Sequence, residues 1–290
     1  MAEQLNASLD RLIDEAGFSE PQEKLVKIFQ SVFTALSEEP LATLDREAER
    51  AVSELRALIP PEISAEAEEK PSRELLGHFE EIWHALLDIA TRIPHQDSQS
   101  QTVVAKTLQV LGGGSSVWKD LPNLGNITRD KWIDPTFEWH PDDDENYTLG
   151  QWLNLNSFIA RLFGSGVIVW ENFPIWQLRK GLEDDLAQAK GDCSTAEAVD
   201  NRVAVASEWL IHAGPVLLKL CLLDDLEEDL RESARVGIHF PGHPGFNLER
   251  WGFWKRRLEG LRSIVSIGVA PSVEQAIESM RASAVALAGN

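Results

Sequence analysis

Cysteine is nearly missing from this sequence: 290 residues hold two, Cys193 and Cys221. They form no Cys-x-x-Cys pair, which excludes a zinc ribbon or a thioredoxin-type motif. Positive charge is also scarce, with 27 Lys and Arg against 47 Asp and Glu and a net charge of -20. That balance repels phosphate backbones and anionic lipid surfaces, so no nucleic-acid partner and no membrane insertion are expected. The N-terminus "MAEQLNASLDRLIDEAG" lacks a basic start followed by an apolar core, so it does not read as a secretory signal and a cytoplasmic address is expected. The longest apolar run, "WLIHAGPVLLKLCLL", contains His212, Pro215 and Lys219. It is too short and too polar to span a bilayer and reads as buried helix.

Chemistry motifs are missing too. There is no His-Glu-x-x-His, no Gly-x-Ser-x-Gly elbow, no Gly-x-Gly-x-x-Gly after a strand and no Gly-Lys-Thr loop. The "GSG" at 164–166 reads as a helix end. The run Asp142, Asp143, Asp144, Glu145 lacks the glycine and the distal glutamate of a calcium loop. Asp224, Asp225 and Glu228 imitate the Asp-Asp-x-x-Glu of terpene cyclases, but no downstream Asn-Ser-Glu triad follows, so they read as a solvated face. His239 and His243 are separated by Pro241 and Gly242, which forbid a helix between them. No metal and no cofactor are therefore expected.

What is present is helix. The apolar fraction is 43%, enough for a real core. Leu25, Phe29, Val32 and Leu36 form one helical stripe; Leu75, Leu76, Phe79, Trp83, Leu86, Leu87 and Ala90 form another. Four capping boxes mark helix starts: Ser19 with Gln22, Thr148 with Gln151, Ser194 with Glu197, and Ser272 with Gln275. Gly112, Gly113 and Gly114 suit a left-handed helix end. "SIVSIGVA" is β-branched but has no second strand to pair with. The expectation is an all-α chain of about ten helices with no significant sheet. It divides into an N-terminal helical part (1–111), an irregular connection carrying aromatics (112–147) and a C-terminal helical part (148–290).

Tryptophan is abundant, with ten copies against one tyrosine. Its ring fills core volume, and it can equally line a pocket. Leu149, Trp152, Asn156, Ile159 and Phe163 follow helical spacing, so Asn156 lies on an apolar stripe and needs a structural partner or a ligand. Tyr147 and Trp152 occupy the two positions of a hydrophobic staple. Glu208 and His212 are one helical turn apart, with Trp209 between them, a spacing that permits an acid–base dyad as well as a surface pair. Trp251 and Trp254 form a stripe beside Lys255, Arg256 and Arg257, which reads as core with a basic flank or as an aromatic wall with a cationic anchor.

An ordered series of motifs, "WLNLNSFIARL" from Trp152, "WQLRKGLE" from Trp176, "VAVASEWLIHAG" from Val203, "ERWGFWKRRLEGL" from Glu249 and "AIESM" from Ala276, resembles the fungal family called domain of unknown function 3632. The resemblance covers residues 148 to 282. It implies a fungal, helical, soluble protein and carries over no catalytic residue. Two functions are expected to compete. One is a small-molecule-binding protein, or a cofactor-independent isomerase or cyclase of fungal secondary metabolism, taking a hydrophobic or anionic small molecule. Its pocket would use Trp152, Asn156, Trp209, Trp251, Trp254 and Arg257, with Glu208 and His212 as the catalytic pair. The other is a non-catalytic protein-interaction module whose tryptophans are core. A cavity lined by these residues would favour the first; an exposed apolar patch would favour the second.

Overall fold

The computed structural model describes residues 2–38, 42–60, 72–114, 117–137, 146–188, 193–225 and 232–288. The acidic run 142–145, Trp139 and Glu228 lie outside the described residues. Among the described residues the chain is all-α, with eleven helices and no strand. Two compact units divide it, residues 1–133 and 134–290.

The N-terminal unit holds α1 (Ala2–Ala16), α2 (Glu20–Glu38), α3 (Leu44–Arg56), α4 (Arg73–Arg92), α5 (Ser98–Gly112) and α6 (Leu124–Asp130). Helices α1 and α2 form an antiparallel hairpin, tied where Asn6 Nδ2 donates to Thr34 Oγ1 (2.9 Å) and Gln30 Nε2 to Asp10 Oδ1 (2.8 Å). The stripes behave as their spacing requires: Leu25, Phe29 and Val32 on α2 and Leu75, Phe79, Leu86 and Ala90 on α4 are buried. Trp83 stacks with Phe79 and meets Trp118 edge-on, and its Nε1 donates to Pro122 O at 2.7 Å. Gly113 ends α5 in a right-handed conformation, not the left-handed one expected. The glycine requirement at this end is packing instead: a Cβ on Gly112 would lie 2.9 Å from Leu121 Cγ.

The C-terminal unit holds α7 (Leu149–Gly164), α8 (Asn172–Leu182), α9 (Thr195–Leu223), α10 (Leu248–Leu261) and α11 (Ala270–Ala288). The central helix is α9, against which the other four pack. It is long and apolar enough to cross a membrane by length and composition, and most of that stretch is buried in the unit. The capping boxes at Thr148–Gln151 and Ser194–Glu197 close in both directions. Tyr147 stacks on Trp152 with centroids 6.3 Å apart, as a staple should. At Ser19, the backbone amide bonds Gln22 (2.8 Å) while the hydroxyl turns to Glu81. Ser272 is no cap at all. A turn from Ser266 winds directly into α11, whose first residues are Ala270 and Pro271, and a proline in a first turn loses no helical bond.

Small residues let the helices touch. A Cβ on Gly164 would sit 1.9 Å from His212 O, so α7 approaches the α9 backbone as only glycine permits. Pro215 sits inside α9 and cannot donate to the carbonyl of Ile211. Ser279 on α11 answers there, its hydroxyl donating to Leu210 O (2.8 Å) and Ile211 O (3.3 Å). Gly214 leaves the room for that contact, since a Cβ would meet Ser279 Oγ at 3.0 Å.

Candidate functional site

Asn156 is fully buried between α7 and α9. Its Nδ2 donates to Trp152 O (3.0 Å) and its Oδ1 accepts from Trp209 Nε1 (3.0 Å). The amide on the apolar stripe thus has structural partners, and Trp209 also meets Phe163 edge-on. One turn along, Glu208 and His212 do pair, Oε2 to Nε2 at 3.2 Å. Ser157 joins them by donating to Glu208 Oε2 at 2.6 Å, and Arg161 Nη1 donates to Ser157 Oγ at 3.3 Å. Only His212 reaches solvent appreciably; the Glu208 side chain is 5% exposed.

Trp251 and Trp254 lie apart from this cluster, on α10. Trp254 Nε1 donates to Glu183 Oε1 at 2.6 Å. Glu183 and Arg250 are both wholly buried and form a bidentate pair, Nε to Oε1 at 2.6 Å and Nη2 to Oε2 at 3.0 Å. Arg257, one turn past Trp254, is half-buried. Trp152, Asn156, Trp209 and Trp254 are at most 1% exposed, so their faces are filled by protein.

Two clefts of this unit lie elsewhere. One, of about 10 Å³, is bounded by Glu171, Ile175, Asp225 and Phe246. The other, of about 120 Å³, is lined by Phe137, Lys180, Asp184, Asp185, Gln188, Arg202 and Ile238. A buried polar frame holds its cations. Asp134 is 2% exposed, and its Oδ1 accepts from the amide (2.9 Å) and the hydroxyl (2.7 Å) of Thr136. Its Oδ2 accepts from Lys180 Nζ at 3.1 Å. Thr136 in turn orients Arg202: Nε donates to Thr136 Oγ1, and Nη2 to Thr136 O and Gln188 O, each at 2.8 Å. Arg202 is only 6% exposed, yet its Nη1 makes no hydrogen bond among the described residues. Lys180 Nζ also lies 5.1 Å from the centre of the Phe137 ring, which fixes that ring as a wall.

The cleft has an acidic side as well. Burial raises the Asp184 pKa, and the Arg179 guanidinium, 3.7 Å away, offsets this only in part. Burial likewise pushes Arg179 down. Cys221 is buried and its thiol is pushed up to about 12, so it is not a poised nucleophile. Among the described residues no three His, Cys, Asp or Glu side chains converge as a metal site.

Sequence reasoning did not single out Arg202, Lys180, Glu183 or Arg250. Arg250 had a signal: it precedes Trp254 and Leu258 by four and eight residues, on the same buried stripe. Arg202 and Lys180 had none, because the frame that holds them joins Asp134 and Thr136 to two distant helices.

No curated protein and no solved structure matches this chain. A family match spans residues 83–258. It starts upstream of the motifs quoted above and stops short of "AIESM", and it contains every residue lining the 120 Å³ cleft. Since more than half of the chain is matched, it belongs to the family described as "Protein of unknown function (DUF3632)".

Proposed function

We propose that this protein binds a small molecule in the cleft of Arg202 and Lys180, and that it performs no chemistry there. The observation that carries this reading is Arg202: a nine-tenths-buried guanidinium, locked by Thr136 and Gln188, with one nitrogen left without a hydrogen bond among the described residues. Arg202 Nη1 is not sealed in the core but opens onto the cleft, where a ligand oxygen can accept from it in the geometry that Thr136 and Gln188 fix. A carboxylate suits both Nη1 and the neighbouring ammonium. Phe137 and Ile238, 45% and 74% exposed, offer an apolar wall for the rest of the ligand. Two larger clefts among the described residues, of about 380 and 490 Å³, involve only residues 2–50, outside the family match. An isomerase or cyclase reading would rest on Glu208 and His212, and neither lines the cleft.

The test is a titration of compact aliphatic and aromatic carboxylates into protein labelled at its isoleucine methyls. The Ile238 methyl is expected to shift saturably while Ile264 and Ile267, exposed elsewhere in the same unit, stay still. Arg202→Lys, which keeps the charge but not the fork, is expected to weaken binding about tenfold with the helical circular dichroism retained. No saturable shift at Ile238 with any compound would end this reading.

One observation favours the interaction module instead. The turn from α10 to α11 is locked by Ile264, Val265, Val269 and Ala270 amide bonds and by Ser266 N donating to Asp200 (2.9 Å), yet it displays Ile264 at 67% and Ile267 at 94% exposure. Ordered but uncovered apolar side chains suit a partner's pocket, because little entropy remains to be lost on docking. On that reading Ile264→Glu with Ile267→Glu leaves the Tm unchanged and abolishes association with a defined partner of the full chain; an unchanged complex rejects it.

A further inference from the structure

The charges around the cleft restrict its ligand further, provided that the cleft binds a ligand as proposed above. Two cations line it, Lys180 and Arg202, and two carboxylates, Asp184 and Asp185. Asp134 stands behind Lys180 and already neutralises it at 3.1 Å. A simple anion entering the cleft would satisfy Arg202 but would meet the two aspartates. A simple amine would satisfy the aspartates but would meet Arg202, which has no carboxylate partner among the described residues. Only a molecule carrying both charges a few ångströms apart finds a partner for each.

The two aspartates are not equivalent. Asp185 accepts from the Ala187 amide (3.1 Å) and from Gln188 Nε2 (3.3 Å), so it has other work. Asp184 faces its cation, Arg179, at 3.7 Å, too far for a hydrogen bond. Its carboxylate accepts no side-chain or backbone hydrogen bond among the described residues, so its lone pairs are the ones left for a ligand, while burial pushes its pKa up. Size sets a second limit. A volume of about 120 Å³ is well below the ~300–1,000 Å³ of usual ligand pockets, room for a compact head group and little more. The remainder of the ligand must leave across Phe137 and Ile238, which are apolar and exposed.

We infer that the cleft recognises a compact zwitterion of the α-amino-acid kind with an apolar side chain, its carboxylate on Arg202 Nη1 and its ammonium on Asp184. Lys180 and Gln188 complete the polar ring, and Phe137 and Ile238 take the side chain.

Calorimetric titration of the full chain tests this with three matched sets: leucine, methionine and phenylalanine, the same compounds without the amino group, and the same compounds without the carboxylate. At least one amino acid is expected to bind about tenfold or more tightly than either of its truncated partners. Asp184→Asn is expected to abolish the amino acid's advantage over its carboxylate-only analogue while leaving the analogue's own binding undiminished or somewhat tighter, because one of the two aspartates that oppose an anion is gone. The amide also removes the charge that offsets the burial of Arg179, so the variant's Tm is read alongside, and the three matched sets on the wild-type chain decide the assignment on their own if the variant does not fold. If the carboxylates bind as well as the amino acids, or if Asp184→Asn weakens both alike, the zwitterion assignment fails and the cleft remains a carboxylate site. If nothing in any set binds saturably, the cleft is not a ligand site and both readings fail together.

Discussion

Replacing Arg250 with alanine is expected to destabilise the C-terminal unit by about 3–5 kcal/mol, the usual consequence of removing one partner of a buried ion pair. The Arg250 side chain makes five hydrogen bonds, two to Glu183 and one each to the carbonyls of Ala234, Arg235 and Gly245. Glu183 is the residue that ends α8, and it also accepts from Trp254 Nε1 and from Gly237 N (2.9 Å). One guanidinium therefore holds α8, α10 and the backbone of 234–245 together. The double variant Glu183→Leu, Arg250→Met separates two accounts. A plain ion pair is often replaceable by apolar residues at little cost. Here Ala234 O would keep the Gly245 amide (3.1 Å), but Gly245 O would lose the Arg250 donor and Trp254 Nε1 and the Gly237 amide would lose their Glu183 acceptor, so the double variant is expected to recover only part of the loss. Urea unfolding with an unchanged m-value measures it. A loss under 1 kcal/mol for Arg250→Ala would show that the pair is not a structural centre.

The helices were legible in the sequence because their evidence is local. A stripe such as Leu25, Phe29, Val32 needs only its own spacing, and a capping box such as Thr148–Gln151 closes within four residues. Local evidence also misled. The Ser272–Gln275 box has the right letters, but the chain is already helical from Ala270, because the preceding turn and Pro271 start it earlier. The tryptophans were legible as large buried rings and not as core or pocket, since that choice depends on what faces them from another helix. The 120 Å³ cleft was the least legible part. Its frame ties Thr136 to Arg202 across 66 positions and Asp134 to Lys180 across 46, and no pattern along the chain encodes such contacts. The aspartates and Gln188 lie in the turn after α8, where spacing carries no face.

Trp209→Ala is expected to cost about 3–5 kcal/mol, the range for deleting a fully buried large aromatic. The informative variant is milder. Trp209→Phe keeps a ring in the core but removes the N–H that Asn156 Oδ1 accepts at 3.0 Å, leaving a buried acceptor unsatisfied. That should cost about 1–3 kcal/mol. Asn156→Leu removes the other half, stranding the indole N–H. If the two groups serve mainly each other, the double variant costs less than the sum of the singles, with a coupling of about 0.5–3 kcal/mol. If Asn156 instead waited for a ligand, its amide would have a use independent of Trp209, and the two effects would add. Asn156 was conspicuous because a polar group on an apolar stripe must bond to something. Its partner is the indole on the facing helix, which turns a candidate ligand group into a lock between α7 and α9. That lock joins the same two helices, α7 and α9, that Gly164 allows to touch.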